Sequence, residues 1–422
     1  MRKLVIPQDA IERHEATLGK ALGGYLGKLA AGYKIVWGDP DENGNYQESK
    51  SYQVSKDDES GCEKNYWRWV HEQFQDKRIL TASPLTLLRF AKQNQKELEK
   101  LGQRRNQIKK VSQALFSFDA LRALKVLRPA DETNEEDCRR INDRHVKIRW
   151  SEAEKYVGKW GGWNLAEFVR LLDVRYCPYC NAETVGIISS SAKRDKAFFS
   201  AIDHVLPKGD YPLLALSLYN LVPSCYRCNS QFKGAKDRFD LEHWNPNDPF
   251  WALHPYVHDV HKWFRFNYRP TSVEHLFLRP KDVDSPLCAT LRIPLEKGCR
   301  KWLKRENYIE RIRHQLDDYH LLTAYRDLYS TEINEILKME MVCTPTFVKT
   351  MKDWYTGMRD EDFDVVFRRA SLDPREINKH RFAKLIIDLN RQIGHDGLSA
   401  GGSRSTQGYT RVTHDPCSKI PR

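Results

Sequence analysis

The chain predicts an α+β fold that is mostly helical, with a small two-stranded unit at its centre and helical regions on either side. Three observations predict it. Apolar residues recur at three- and four-residue steps over 10–36, 84–127 and 295–337. Two stretches between 183 and 205 instead alternate apolar and polar residues. Around that alternation stand two Cys-x-x-Cys pairs, Cys177 with Cys180 and Cys225 with Cys228. At 422 residues, 40% of them apolar and with 11 Trp, 19 Tyr and 17 Phe, the chain can fill two or three domains with an ample core, which excludes a mainly disordered protein. It divides into a mostly helical, basic region over 1–163, a central domain over 164–270, a helical region over 271–393 and a tail over 394–422.

From Ala10 to Val36 apolar positions follow a helical interval, without the small-residue cleavage site of a secretory leader. No run approaches 18 uninterrupted apolar residues, so a soluble, cytoplasmic protein with no membrane partner is expected. The polar stretch after Trp37 is punctuated by Asp-Pro, Asn-Gly and Ser-Gly turns, as in a hairpin or a mobile loop. Trp67, Val70 and Phe74 then make the apolar stripe of a helix. Ser83 as N-cap and Pro84 at the first helical position start another that runs to about Leu127, with Gly102 as its natural break. Across 84–128 eleven basic residues stand against three acids, a surplus of +8 within a chain of net charge +12. Such a helix could lie along a polyanion, with Arg104, Arg105, Lys109 and Lys110 on phosphates, or be the solvated face of a bundle. The acidic 131–140 reads as a loop or linker. Ser151 with Glu154 fits a capping box, Gly161-Gly162 a bend, and Asn164 the cap of a short helix delivering Cys177.

In the central domain, ETVGIISS and KAFFSAIDHV read as the two strands of a hairpin, YPLLALSLYNL crosses over, and PSCYRCNSQFKGAK begins a helix. Each Cys-x-x-Cys can place two thiolates on one tetrahedral ion, so the pair makes a four-sulfur structural zinc site. Two disulfides are the alternative, disfavoured without a secretory leader. The other six cysteines have no metal-like spacing and read as free thiols. Close by stand Asp203, His204, Asn220 and Asn229. Asp203 and Asn229 offer oxygens to a hard divalent ion, Mg2+ with Mn2+ able to replace it, and His204 is an imidazole base that titrates near neutrality. Lys233, four residues after Asn229, could hold a phosphate as a point charge, with Lys208 and Lys236 as competitors and further candidate nucleic-acid contacts. That is equipment for hydrolysing a phosphodiester.

The order Asp-His-x-x-Pro, Asn-Leu-Val-Pro-x-Cys, and Cys-Asn with Lys-Gly soon after resembles the HNH endonucleases, in the variant where Asn replaces the final His and a zinc knuckle braces the fold. The resemblance covers roughly 170 to 240. It implies a ββα-metal core, a nucleic-acid substrate, and a place for Asn220 opposite His204, fixing the ring's orientation; DNA is expected before RNA, and the sequence does not decide between them. A looser similarity, in the Leu-x-Pro-Tyr block and the aromatics after it, points to Septu-type and retron-associated HNH effectors, which work beside an ATPase in prokaryotic anti-phage defence. A homing or restriction nuclease is the next setting. The rival class is a zinc-stabilised nucleic-acid-binding protein that does not cut.

Beyond the core, His254, His258 and His261 lie close enough in sequence for a second metal site, though no carboxylate or cysteine pattern supports one. Trp302, Tyr308, Ile312, Leu316 and Tyr319 mark the helical stretch over 295–337, a further helix spans Glu376 to Gln392, and the Gly-, Ser- and Thr-rich tail reads as disordered.

Overall fold

Trp67 and Val70 are fully buried and Phe74 nearly so, one face of helix α3 (Cys62–Asp76), which packs against α2 (Lys20–Ala30). The expected stripe is therefore the seam of the amino-terminal region. The computed structural model describes residues 3–32, 34–37, 50–52, 61–76, 78–116, 125–127, 165–189, 196–198, 201–239, 241, 252–268, 287–291, 305–343, 345–355, 359–396 and 412–413. Among them helix predominates, with short strands in small sheets, as an α+β chain requires. No helix among them is long and apolar enough to cross a membrane.

Ahead of α2 lies α1 (Gln8–His14), continued by a π-helical turn. Strand β1 (Lys34–Trp37) pairs antiparallel with β2 (Lys50–Tyr52) on one edge and β3 (Lys125–Leu127) on the other. The turn-rich stretch is thus spanned by a hairpin pairing, while two helical expectations fail at their ends. Residues 34–36 and 125–127 are strands, because each finds its partner in the other, a non-local pairing that periodicity does not carry. Between them run α4 (Pro84–Glu99) and α5 (Arg105–Leu115). Ser83 Oγ accepts from the amide of Thr86 at 3.3 Å and Gly102 breaks the pair at φ +52°, as their residue types predict.

A short α6 (Leu165–Leu171) leads to the first Cys-x-x-Cys. Residues 131–140, Ser151, Glu154, Gly161, Gly162 and Asn164 lie outside the described residues. The expected hairpin is present in its first part, and the rest of its second stretch pairs elsewhere. Strand β4 (Ile187–Ser189) pairs with β5 (Lys196–Phe198), whereas β6 (Ala201–His204) pairs with β7 (Leu221–Ser224), Asp203 opposite Val222 and His204 opposite Leu221. KAFFSAIDHV is thus two strands. Alternation assigns faces but not partners, and Pro223 is tolerated in β7 because a two-stranded ribbon has free edges. A π-helical segment, Arg227–Lys233, follows β7 and packs against β6.

Strand β8 (Phe264–Tyr268) pairs with β9 (Leu287–Leu291), and β9 with β10 (Val412–Thr413), so the tail expected to be disordered contributes a strand where it is described. The stretch after 304 is three helices, α7 (Arg305–Asp318), α8 (Leu321–Asp327) and α9 (Ser330–Val342), with His320 at φ +44° between the first two. Ile312, Leu316 and Tyr319 are buried as expected, and Trp302 lies outside the described residues. Helices α10 (Pro345–Trp354) and α11 (Asp360–Arg368) follow. The expected 376–392 helix is a 3-10 segment, Pro374–Lys379, then α12 (Ala383–Asp396), separated at Phe382 with φ +53°. One cluster of buried apolar residues runs from Leu4 to Leu389 and crosses the boundaries expected at 163 and 270.

Candidate functional site

Tyr176 faces Thr184 across a tight turn, and inside it the amide of Cys177 donates to Glu183 O at 2.8 Å and that of Asn181 to Cys177 O at 2.8 Å. Asn181 takes the left-handed conformation, φ +57°, one of the few side chains that tolerate it. The second pair follows β7 directly, with Cys228 in the π-helical segment. Backbone amides point at the sulfurs: Ala182 N donates to Cys180 Sγ at 3.5 Å and Cys228 N to Cys225 Sγ at 3.4 Å. All four Sγ atoms are buried and lie within 4.8 Å of one another. Cys180 and Cys225 Sγ are 4.0 Å apart, far beyond a disulfide bond and near the roughly 3.8 Å that a tetrahedron with zinc–sulfur bonds of about 2.3 Å sets between ligands. The set could hold a metal ion such as zinc, in donor type, number and spacing. Burial acts to raise the Cys177 thiol, but hydrogen bonds from the other three cysteines carry it well below its ordinary value. Hydrogen bonds to Cys177 carry the thiols of Cys180 and Cys228 the other way, well above their ordinary value, so a cation is what would draw further thiolates from the cluster.

The carboxyl-terminal helices clamp this turn. Asn181 Nδ2 donates to Ile377 O at 2.7 Å and His380 O at 3.1 Å, and its Oδ1 accepts from Lys384 N at 3.1 Å. Phe382 N donates to Asn181 O, Arg381 Nε to Ala182 O, and Tyr325 Oη to Cys180 O at 2.6 Å.

Successive residues of β6 point to opposite faces. Asp203 faces inward at 1% exposure, and both its oxygens are engaged: Tyr179 Oη donates to Oδ2 at 2.5 Å and Lys233 Nζ to Oδ1 at 2.5 Å. Lys233 also donates to His204 O at 2.6 Å and is 3% exposed. Its burial corrects the expectation of a lysine presented to phosphate, since a buried ammonium is held by buried acceptors. Lys208 and Lys236 are exposed instead. Asn229 lies one turn before Lys233 on the π-helical segment, half-buried, and among the described residues its side-chain amide makes no hydrogen bond.

On the other face, His204 Nε2 donates to Ala215 O at 3.0 Å. A carbonyl only accepts, so Nε2 carries the proton and Nδ1 keeps its lone pair. Burial is the largest influence on this imidazole and lowers its pKa to about 4, against the pull of Asp203 and with Lys208 adding to the fall. It is neutral near pH 7, and its burial corrects the expectation of an imidazole that titrates near neutrality. Among the described residues Asn220 makes no hydrogen bond to the ring. It accepts from Leu206 N at 2.7 Å and donates to Leu206 O at 3.1 Å and Leu214 O at 2.9 Å, so it closes the loop whose next carbonyl, Ala215 O, aims His204.

The amino-terminal region braces that loop. His14 Nε2 donates to Leu216 O at 2.7 Å, Leu218 N to Leu80 O at 2.8 Å, and Gln113 Nε2 to Gly209 O at 3.1 Å. Of the basic residues expected on nucleic acid, Arg104 lies 3.1 Å from buried Glu63 and Lys109 donates to Asp210 Oδ1 at 3.2 Å, while Arg105 and Lys110 are exposed. His254, His258 and His261 do not converge: His258 Nδ1 accepts from His254 N at 2.8 Å, and among the described residues only the four cysteines group as metal ligands.

Sequence reasoning alone gives no role to Tyr179, His14 or Ala215. An aromatic between two knuckle cysteines is a usable signal for the first; the others carry none. Comparison with protein-family models, curated proteins and solved structures finds nothing that matches this chain.

Proposed function

We propose that the chain is a metal-dependent endonuclease of the HNH kind, hydrolysing DNA phosphodiesters. The observation that carries this reading is His204, a neutral imidazole with Nε2 committed to Ala215 O and Nδ1 able to accept a proton, on a strand–strand–helical frame that also bears Asp203 and Asn229. Nδ1 takes the proton of the attacking water, and Ala215 O keeps the ring aligned while charge develops on it. Asn220 fixes the loop that carries that carbonyl, so it acts on the ring through the backbone. The donor types of Asp203 and Asn229 suit Mg2+, which binds one or two protein oxygens and takes the rest from water and phosphate. When bound there, the ion would supply positive charge to the phosphoryl and leaving oxygens. Exposed Arg105, Lys110, Lys208 and Lys236, within a chain of net charge +12, supply the polyanion-binding surface. A cytoplasmic role in prokaryotic anti-phage defence beside an ATPase belongs to this proposal.

One observation favours a second reading. With both Asp203 oxygens held internally, a zinc-stabilised nucleic-acid-binding protein needs nothing rearranged. Plasmid cleavage with and without Mg2+ separates the two. The nuclease cuts only with the ion, and His204→Ala lowers the rate by about 10²- to 10⁴-fold while retaining DNA binding. A wild type that binds DNA and never cuts under Mg2+ or Mn2+ establishes the second reading instead.

A further inference from the structure

Tyr179 sits between the two cysteines of the first knuckle, so its backbone is fixed by Cys177 and Cys180 on either side. Its ring stacks on Tyr319, centroids 4.4 Å apart at 15°, and Tyr319 is itself held by Arg238, whose Nη1 donates to Tyr319 Oη at 3.2 Å and whose Nε donates to Asp318 Oδ2 at 2.8 Å. The phenol that reaches Asp203 Oδ2 is thus anchored on both sides before it makes that bond. The donor on Oδ1 is of another kind. Lys233 is the last residue of the π-helical segment, its side chain hangs on four rotatable bonds, and Gly234 follows at φ +56°. One carboxylate oxygen is bound by a neutral hydroxyl and the other by a cation on a longer side chain, which also donates to His204 O at 2.6 Å.

A carboxylate at 1% exposure requires a positive partner or its charge is left unbalanced. Lys233 provides one within the chain, and a divalent ion on Oδ1 would provide another in the same place. Two cations cannot share that oxygen at contact distance without strong repulsion. Tyr179 is neutral and has no such conflict. Its bond leaves Oδ1 as the coordinating oxygen and sets the direction in which that oxygen points.

We infer that Asp203 is gripped by two opposed donors: Tyr179 is the positioning residue that aims the metal-binding carboxylate from the zinc knuckle, and Lys233 is the internal cation that a divalent ion must displace. This rests on the nuclease reading and adds two things to it. Asp203 is aimed by the structural metal site, and the affinity for the catalytic ion is set by competition with a residue of the same chain.

The competition gives substitutions of the two donors opposite signs on one measurement. With the full, zinc-loaded chain, Mn2+ binding is followed by the loss of the free-ion electron paramagnetic signal. Tyr179→Phe weakens Mn2+ binding about tenfold, as removal of a hydrogen bond behind a ligand does. Lys233→Gln, which keeps a donor and removes the charge, tightens it severalfold. Both retain one zinc per chain, which shows that the knuckle has folded. Because Lys233→Gln leaves a buried carboxylate without a counter-ion, a measurement on the wild type accompanies it: in a 15N-lysine spectrum the ammonium of Lys233 is protected from exchange, and Mg2+ releases it. Equal Mn2+ affinity across the three proteins, weaker binding by Lys233→Gln, or a Lys233 signal indifferent to Mg2+ overturns the inference alone if the wild type cuts DNA. A wild type that neither binds Mn2+ nor cuts overturns the nuclease reading and the inference together.

Discussion

The four-cysteine cluster and the loop that aims His204 share one frame, yet they are held from opposite ends of the chain. The cluster is fastened by helices after residue 320, through backbone carbonyls that take Asn181, Arg381 and Tyr325 as donors. The His204 side is fastened by two helices and a turn before residue 120, through His14, Gln113 and Leu80 on the loop over 206–220. Four like ligands make a closed site that a single ion would fill completely. On the nuclease reading proposed above, one carboxylate, one amide and one imidazole would make a site that is complete only with substrate. The difference suits a structural ion on one side and an exchangeable one on the other.

The largest effect should come from the cluster itself. Cys225→Ser should abolish stoichiometric zinc and destabilise the chain by more than about 5 kcal/mol, since zinc binding and folding are one equilibrium in such units. Asp203→Asn should keep its zinc. A Cys225→Ser protein that melts like the wild type would erase the contrast. The carboxyl-terminal brace is tested by Asn181→Ala, which removes three hydrogen bonds and puts alanine at φ +57°, for a loss of about 4 kcal/mol in urea unfolding. A loss below about 1 kcal/mol would mean that the clamp is ornamental.

The amino-terminal brace is tested by pH. Burial lowers the pKa of His14 to about 4 from its usual 6.5. Above 6.5 both folded and unfolded chains hold it neutral and nothing is lost. Between 6.5 and about 4 only the unfolded chain takes up the proton, so stability falls with falling pH, by roughly 3 kcal/mol once pH is below about 4. Burial lowers His204, His254, His258 and His261 over the same range, so His14→Gln should take one histidine's share from that slope, and an unchanged slope would remove His14 from the account. The smallest effect on the fold should come from the exposed charges. Arg105→Glu with Lys110→Glu should leave stability within about 0.5 kcal/mol but reduce the salt dependence of DNA binding by roughly one for each phosphate that is no longer neutralised. An unchanged salt slope would leave the helix a solvated face.

Chemistry that acts over three or four residues was legible in the sequence. The spacing of the cysteines, the Ser83 cap, the break at Gly102 and the stripe of Trp67, Val70 and Phe74 all depend on near neighbours, and each stands where it was expected. What depends on distant partners was not legible. Nothing local in β6 shows that its mate is Leu221–Ser224 rather than the segment before it, and nothing in 125–127 shows a strand waiting at Lys34. Nothing in the sequence singles out Asn181, whose three partners lie some two hundred positions away. Lys233 was legible as a cation near Asn229. That it turns inward to Asp203 is a matter of packing, which no motif carries.

Two consecutive carbonyls, Ala215 and Leu216, are each capped by an imidazole, one from the strand beside them and one from a helix some two hundred residues earlier. Trimming the first fourteen residues, a common step in preparing shortened proteins, therefore removes a support immediately next to the group that aligns His204. A deletion of that kind that silences the protein would speak to alignment before it spoke to substrate binding, and replacing His14 alone is the way to tell the two apart.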